Sequence, residues 1–159
     1  MVFFLFLLVS FFLLYFFLRE RTNSFDNSVS TIKGLVKDGA CEIVIGAKCS
    51  THVFGGKNTN YLFNRADLYI MDDTVFICGY SKFFNWKIKK SVIVLSRKKE
   101  RIKLILPKAS FPILRKLNAN SNKNEVFIEF TEEDYKYLIL EIRFIGLTNE
   151  TRNNINIYK

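Results

Sequence analysis

The sequence predicts a mainly β protein, in which an N-terminal transmembrane helix precedes a small antiparallel β barrel or sandwich. Residues 1–18 contain no charged side chain. The rest of the chain contains short segments in which apolar and polar residues alternate between polar turns, and such segments form strands. Both prolines, Pro107 and Pro112, fall in a single connection. Consecutive hairpins must close or pair to hide their edges, which favours a barrel or a sandwich.

The N-terminal segment is apolar apart from Ser10, and the charged tripeptide Arg19-Glu20-Arg21 follows it directly. A helix of this length is roughly 27 Å long, close to the roughly 30 Å hydrocarbon core of a bilayer. A cleaved secretory signal is the alternative. However, no Lys or Arg precedes the apolar run, and no Ala-x-Ala cleavage pattern follows it. We therefore expect residues 1–18 to be an uncleaved signal anchor of a single-pass membrane protein.

The flanking charges predict the orientation of this anchor. Basic residues follow it on the carboxyl side, at Arg19, Arg21, Lys33 and Lys37. The positive-inside rule then places the soluble domain in the cytoplasm. The cysteines agree, because they are odd in number and scattered through apolar contexts, at Cys41, Cys49 and Cys78.

Beyond the anchor we expect three parts: a polar tether over residues 19–31, an antiparallel β domain over residues 32–147, and a polar tail over residues 148–159. A first strand is predicted within residues 36–47. The first hairpin joins residues 66–71 to residues 74–80, because Asp72 and Asp73 supply a turn between two alternating segments.

Two further hairpins are predicted. The second pairs residues 90–96 with residues 101–106, where Ile102, Leu104 and Leu106 would share one face. The third pairs residues 125–130 with residues 136–144 across an acidic turn. Residues 109–117 are predicted to form one or two helical turns, and residues 118–124 a polar loop.

The positive charge is concentrated in one part of the chain. The whole sequence carries a net charge of +9, whereas residues 87–116 contain eleven Lys or Arg against Glu100 alone, a net charge of +10. Next to a bilayer such a patch would attract anionic headgroups, by about 1 kcal/mol for each basic residue. The candidate lipid contacts are Lys87, Lys89, Lys90, Arg97, Lys98, Lys99, Arg101 and Lys103.

Other interpretations of this basic segment stay open. Its lysines can be ordinary solvated strand faces, and nucleic acid would attract them by counterion release. The anchor favours lipid over nucleic acid, because it holds the domain at a high local concentration of headgroups. Phe83, Phe84 and Trp86 precede the basic run and are expected either in the core or in contact with the membrane interface.

Residues 66–80 and residues 90–96 carry a resemblance to a known family. With the preceding apolar span, they resemble membrane-anchored bacterial pleckstrin-homology-like and GRAM-like small β-domain proteins. The resemblance covers about residues 36–146, and the closing amphipathic helix usual in that family is not evident after Ile145. It implies a pleckstrin-homology-like fold and binding or scaffolding at a membrane. The phosphoinositide ligands of eukaryotic relatives do not carry over, because no matching loop motif is present.

The sequence offers few residues for chemistry. Cys49 and His52 have the close spacing of zinc ligands, and a Cys/His pair can also be nucleophilic. The close spacing occurs once, so we expect no metal and no cofactor. The Gly55-Gly56-Lys57 segment lacks the full phosphate-loop pattern and is predicted to be a flexible loop.

We therefore expect a non-enzymatic binding or scaffold module that contacts the anionic membrane surface or an unknown protein partner. The alternative is an exported or envelope-facing anchored domain that binds a protein partner. An enzyme with a Cys/His centre is the third interpretation.

Overall fold

The structure is a computed structural model that describes residues 2–37, 39–56, 58–119 and 124–156. Lys57 and parts of the predicted polar loop and tail lie outside the described residues. The helices are α1 (Val2–Lys37), α2 (Lys99–Ile105) and α3 (Asn149–Asn156), and a 3-10 turn covers Thr59–Tyr61. The strands are β1 (Glu42–Phe54), β2 (Arg65–Met71), β3 (Thr74–Phe83), β4 (Trp86–Ser96), β5 (Ile113–Asn118), β6 (Glu125–Thr131) and β7 (Ile139–Ile145).

The seven strands form one antiparallel sheet in the order β4-β3-β2-β1-β7-β6-β5, which confirms the mainly β prediction. β1 is central because its first half pairs with β2 and its second half with β7. The sheet is not closed, since β4 and β5 are its two edges. Ser110 adds only a short parallel bridge to β4, where its N–H donates to the carbonyl of Val92 at 2.8 Å.

Each face of the sheet has its own apolar cluster. The sheet core contains residues from all seven strands, among them Ile77, Ile93 and Phe130. The helix core lies on the opposite face of β2–β4, under α1 and α2, and includes Tyr69 and Phe76. Because successive side chains of a strand alternate between faces, β3 is buried on both sides.

α1 extends well beyond the predicted anchor. Residues 19–31, expected to form a polar tether, are helical and belong to α1. Phe25, Ile32 and Val36 lie on one side of this helix and are buried in the helix core. Apolar residues at helical spacing therefore dock a segment whose composition is otherwise polar. Within the described part of the chain, no helix is both long enough and apolar enough to cross a membrane.

The predicted second hairpin is wrong. Residues 101–106 belong mainly to helix α2, whereas the segment predicted to be helical contains β5. Residues four apart share a face in a helix as well as in a strand, so Ile102 and Leu106 fit both patterns. Both side chains pack in the helix core. β4 pairs with β3, and the first and third predicted hairpins are present as β2–β3 and β6–β7.

Two glycines provide a matched test of this packing. A Cβ on Gly79 would lie 2.5 Å from ring atoms of the buried Phe63, so we expect Gly79→Ala to destabilise the fold by about 1–3 kcal/mol. A Cβ on Gly34 of α1 has no neighbour within 4 Å. Gly34→Ala should therefore stabilise the protein by about 0.5–1 kcal/mol through helix propensity. Denaturant unfolding of both variants checks this pair, and an equal effect of the two would contradict the packing described.

Candidate functional site

The predicted lipid-contact residues lie on three consecutive elements at one edge of the sheet. Lys87, Lys89 and Lys90 belong to β4, and Arg97 and Lys98 to the turn that follows. Lys99, Arg101 and Lys103 belong to α2. They therefore follow one another along β4, the turn and α2, and do not lie on the single hairpin that the sequence predicts.

Several of these lysines are paired with carboxylates from other elements. The pairs are Lys87–Asp67 at 3.2 Å, Lys89–Asp26 at 2.5 Å, Lys98–Asp73 at 2.6 Å and Lys103–Glu133 at 3.0 Å. Lys98 accordingly lowers the pKa of Asp73. Every one of these carboxylates lies outside residues 87–116, so the net charge of that segment overstates its free positive charge. Exposed pairs of this kind contribute little to stability.

A cleft of about 970 Å³ opens beside β4. Its walls come from α1, from residues 90–92 of β4, from residues 107–111 before β5, from the 3-10 turn, and from residues 132–135 after β6. The cleft therefore follows the edge of the sheet where β4 has no neighbouring strand apart from the bridge at Ser110. Its lining includes both charged and aromatic side chains.

Most polar groups on one side of the cleft have partners. The Tyr61 hydroxyl donates to the Glu132 carboxylate and lies 2.8 Å from Oγ of Ser110. Burial and the Glu132 carboxylate both raise the pKa of Tyr61, so the phenol stays protonated. Lys108 forms an ion pair with Glu20 at 3.4 Å.

Where α1 meets β4, by contrast, polar groups lack hydrogen-bond partners. Nη2 of Arg21 is buried and has no hydrogen-bond partner. Lys90 is half-buried nearby, and its pKa is lowered first by burial and then by the charge of Arg21. The hydroxyl of Ser91, which also lines the cleft, is likewise buried without a partner. Two cations thus lie together at the α1 side of the cleft.

The tip of the β3–β4 hairpin is apolar and exposed. Phe83, Phe84 and Trp86 are 68%, 83% and 76% exposed, so they do not belong to the core. Phe83 pairs with Trp86, which leaves Phe84 and Asn85 as a two-residue turn. Phe84 has a φ of 50°, a conformation that costs free energy for a bulky residue. The fold therefore holds a strained aromatic residue outside its core.

The apolar end of α1 is exposed as well. Thirteen of its large side chains are at least 47% exposed: Phe4, Phe6, Leu7, Leu8, Val9, Phe11, Phe12, Leu13, Leu14, Tyr15, Phe16, Phe17 and Leu18. Soluble monomers rarely expose contiguous apolar patches of this kind, and such patches mark contacts with lipid or protein.

Cys49 and His52, the predicted pair, do not come together with Cys78. Cys49 is buried in the sheet core, whereas Cys78 is buried in the helix core on the opposite face. His52 is exposed and stacks on Phe54. Burial raises the pKa of Cys49 to about 12, which makes its thiolate scarce at neutral pH. Among the described residues, no group of three or more His, Cys, Asp or Glu side chains could hold a metal ion.

Sequence reasoning missed Arg21, Tyr61 and Glu132 as site residues. Arg21 flanks the predicted anchor as a charge, and its spacing from Phe25 also places both on neighbouring positions of one helix face. No signal in the sequence indicates that Tyr61 and Glu132 meet, because 71 residues separate them.

No protein-family model, curated protein or solved structure matches this chain.

The thiols provide a test of the two cores. In the folded protein at about pH 8 we expect a thiol reagent to modify Cys41 first, because it is only partly buried. Cys49 and Cys78 should react only after denaturation, since both are buried and have raised pKa values. Mass spectrometry of the labelled protein locates the modified residues. Rapid native labelling of Cys49 or Cys78 would contradict this burial.

Proposed function

We propose that the protein is a membrane-anchored, non-enzymatic binding module, in which the apolar end of α1 is embedded in lipid and the β domain contacts the anionic membrane surface. The observation that carries this proposal is the row of thirteen exposed apolar side chains at the start of α1. Positive charge after the anchor favours a cytoplasmic domain.

The size of the exposed surface supports lipid as its environment. Fully burying one large apolar side chain is worth about 1.5–3 kcal/mol, so thirteen side chains that are 47–70% exposed amount to roughly 10 kcal/mol or more. That is comparable to the net stability of a typical domain, about 5–15 kcal/mol. The charged residues Arg19, Glu20 and Arg21 follow immediately, as expected where a helix leaves the hydrocarbon layer.

The β3–β4 hairpin supports a second contact with the bilayer. The ion pair between Lys89 and Asp26 places the tip half of this hairpin beside α1, close to the charged residues that follow the anchor. At about 3.3 Å per residue, Phe84 lies within roughly 17 Å of Lys89. Aromatic side chains such as Trp86 partition favourably into the interfacial region, and neighbouring lysines attract anionic headgroups.

The pleckstrin-homology-like and GRAM-like relationship is part of the proposal. It is supported by the seven-stranded antiparallel sheet of consecutive hairpins. It is further supported by α3, which follows β7 and buries Ile155 in the sheet core. A closing helix is usual in that family, and the short polar sequence of α3 hides it from a search for an amphipathic pattern.

Alkaline carbonate extraction of cell membranes tests the anchor. We expect the full chain to stay in the membrane pellet, because its apolar helix is buried in lipid, and a variant lacking residues 2–18 to be released. Release of the full chain would contradict the anchor.

A reporter fused to the carboxyl terminus tests the orientation, and activity of a reporter that functions only outside the cytoplasm would favour the exported alternative.

Trp86 is the single tryptophan of the chain and therefore reports on the hairpin tip. In vesicles with anionic, brominated lipids we expect quenching of its fluorescence, because the tip enters the interface. A matched control moves the tryptophan to an exposed position of β1 (Trp86→Phe with Ile43→Trp), where we expect little quenching. Equal quenching of both proteins, or none of either, would contradict contact through the tip.

The variant Phe84→Asn distinguishes the effect of Phe84 on the stability of the fold from its effect on contact between the hairpin tip and lipid. Asn tolerates a positive φ, so we expect this variant to be more stable by up to about 1 kcal/mol, as measured by denaturant unfolding. The same variant should show weaker quenching of Trp86 by brominated lipid, because one apolar side chain of the tip is lost. Lower stability together with unchanged quenching would contradict the role assigned to Phe84.

A further inference from the structure

We infer that the cleft between α1 and β4 binds a phosphate group, held by the guanidinium of Arg21, the ammonium of Lys90 and the hydroxyl of Ser24. This site is distinct from the general surface attraction proposed above. It depends on that proposed function only if the phosphate belongs to a membrane lipid.

The first argument is the lack of partners for the cations. Buried polar groups in folded proteins nearly always have a hydrogen-bond partner, and an exception calls for an explanation. Nη2 of Arg21 is such an exception, although Arg21 lines an open cleft of about 970 Å³. The neighbouring Lys103 and Lys108 are paired with Glu133 and Glu20, so their charges are already balanced.

The second argument is the repulsion between the two cations. Arg21 lies close enough to Lys90 to lower its pKa, and burial lowers it further. Placing two like charges together in a partly buried position costs free energy unless an anion lies between them. The carboxylates that line the cleft are Glu132, Glu133 and Asp134 after β6, and Glu20 of α1, which forms an ion pair with Lys108. An anion bound at the α1 side would relieve this repulsion.

The donor set indicates the class of anion. Arg21, Ser24 and Lys90 all line the cleft, and each supplies hydrogen-bond donors. Arginine presents two parallel N–H groups that match two oxygens of a phosphate, and lysine adds a point charge. These features favour a phosphate monoester or diester.

The apolar lining indicates two possible sources of this phosphate. Phe17 lines the same cleft and lies one helical turn before Arg21, on the side of the apolar end of α1. A phospholipid phosphate at Arg21 would therefore have its acyl chains beside the anchor. A free phosphate ester would present the same oxygens to the same three side chains without requiring the membrane.

Thermal unfolding of the full chain in neutral detergent tests the site. The probes are inorganic phosphate, glycerol 3-phosphate and phosphatidylglycerol added to the micelles, each compared with chloride at equal ionic strength. We expect at least one phosphate probe to raise the Tm in a concentration-dependent manner, since a ligand that binds the folded state stabilises it. A response to phosphatidylglycerol alone identifies a lipid headgroup, and a response to the soluble probes identifies a free phosphate ester.

Three variants make the result specific. Arg21→Gln and Lys90→Gln should each weaken the response roughly tenfold or more in apparent Kd, as expected for the loss of a charge-assisted hydrogen bond. Without ligand, neither variant should be less stable than the wild type, because each removes the repulsion. Lys48→Gln removes an exposed charge from β1 and should respond as the wild type does.

The inference is overturned if no phosphate probe shifts the Tm of the wild type, or if all three variants respond equally. Its failure is distinguishable from failure of the proposed function, because carbonate extraction of Arg21→Gln and Lys90→Gln reports on the anchor independently. Retention of both variants in the membrane together with loss of the phosphate response supports both proposals.

Discussion

α1 packs Phe25, Ile32 and Val36 against the outer face of β2–β4, and the position of the rest of the helix depends on this contact. Because the same helix continues without a break towards its apolar end, the docked half fixes where the exposed half leaves the domain. A flexible tether would leave the domain free to rotate relative to the apolar end of the helix. A rigid helix instead holds one edge of the sheet, with the β3–β4 hairpin and the cleft, beside the point at which the helix becomes apolar.

The ion pairs of the basic segment, residues 87–116, determine where its positive charge is free, and the net charge of the segment does not. Six of the eleven basic side chains of residues 87–116 form ion pairs with carboxylates from other elements, as in Lys89–Asp26 and Lys103–Glu133. Two features are local: the two neighbouring cations at the α1 side of the cleft, and the exposed aromatic side chains at the hairpin tip. The general attraction to an anionic surface and the specific phosphate site that we propose are therefore separate properties, which share only Lys90.

The β2–β3 and β6–β7 hairpins were predictable because an acidic turn separates two alternating segments in each. α2 was not, since the spacing of Ile102 and Leu106 satisfies both a strand and a helix, and only the packing against Phe76 and its neighbours favours the helix. The docked half of α1 was missed because three apolar residues within a polar segment are a weak signal. The cleft depends on contacts between residues far apart in the chain, such as Tyr61 with Glu132, which no local pattern reveals.

The most direct test of this account is amide hydrogen exchange over residues 19–36 of the full chain in lipid nanodiscs. A docked helix predicts protection of the amides around Phe25 and Ile32 comparable to that of β3, because both pack in the same core. Exchange of residues 19–31 at the rate of an unstructured chain would contradict the account, since the segment would then be a tether and would not fix the position of the apolar end of α1 relative to the domain.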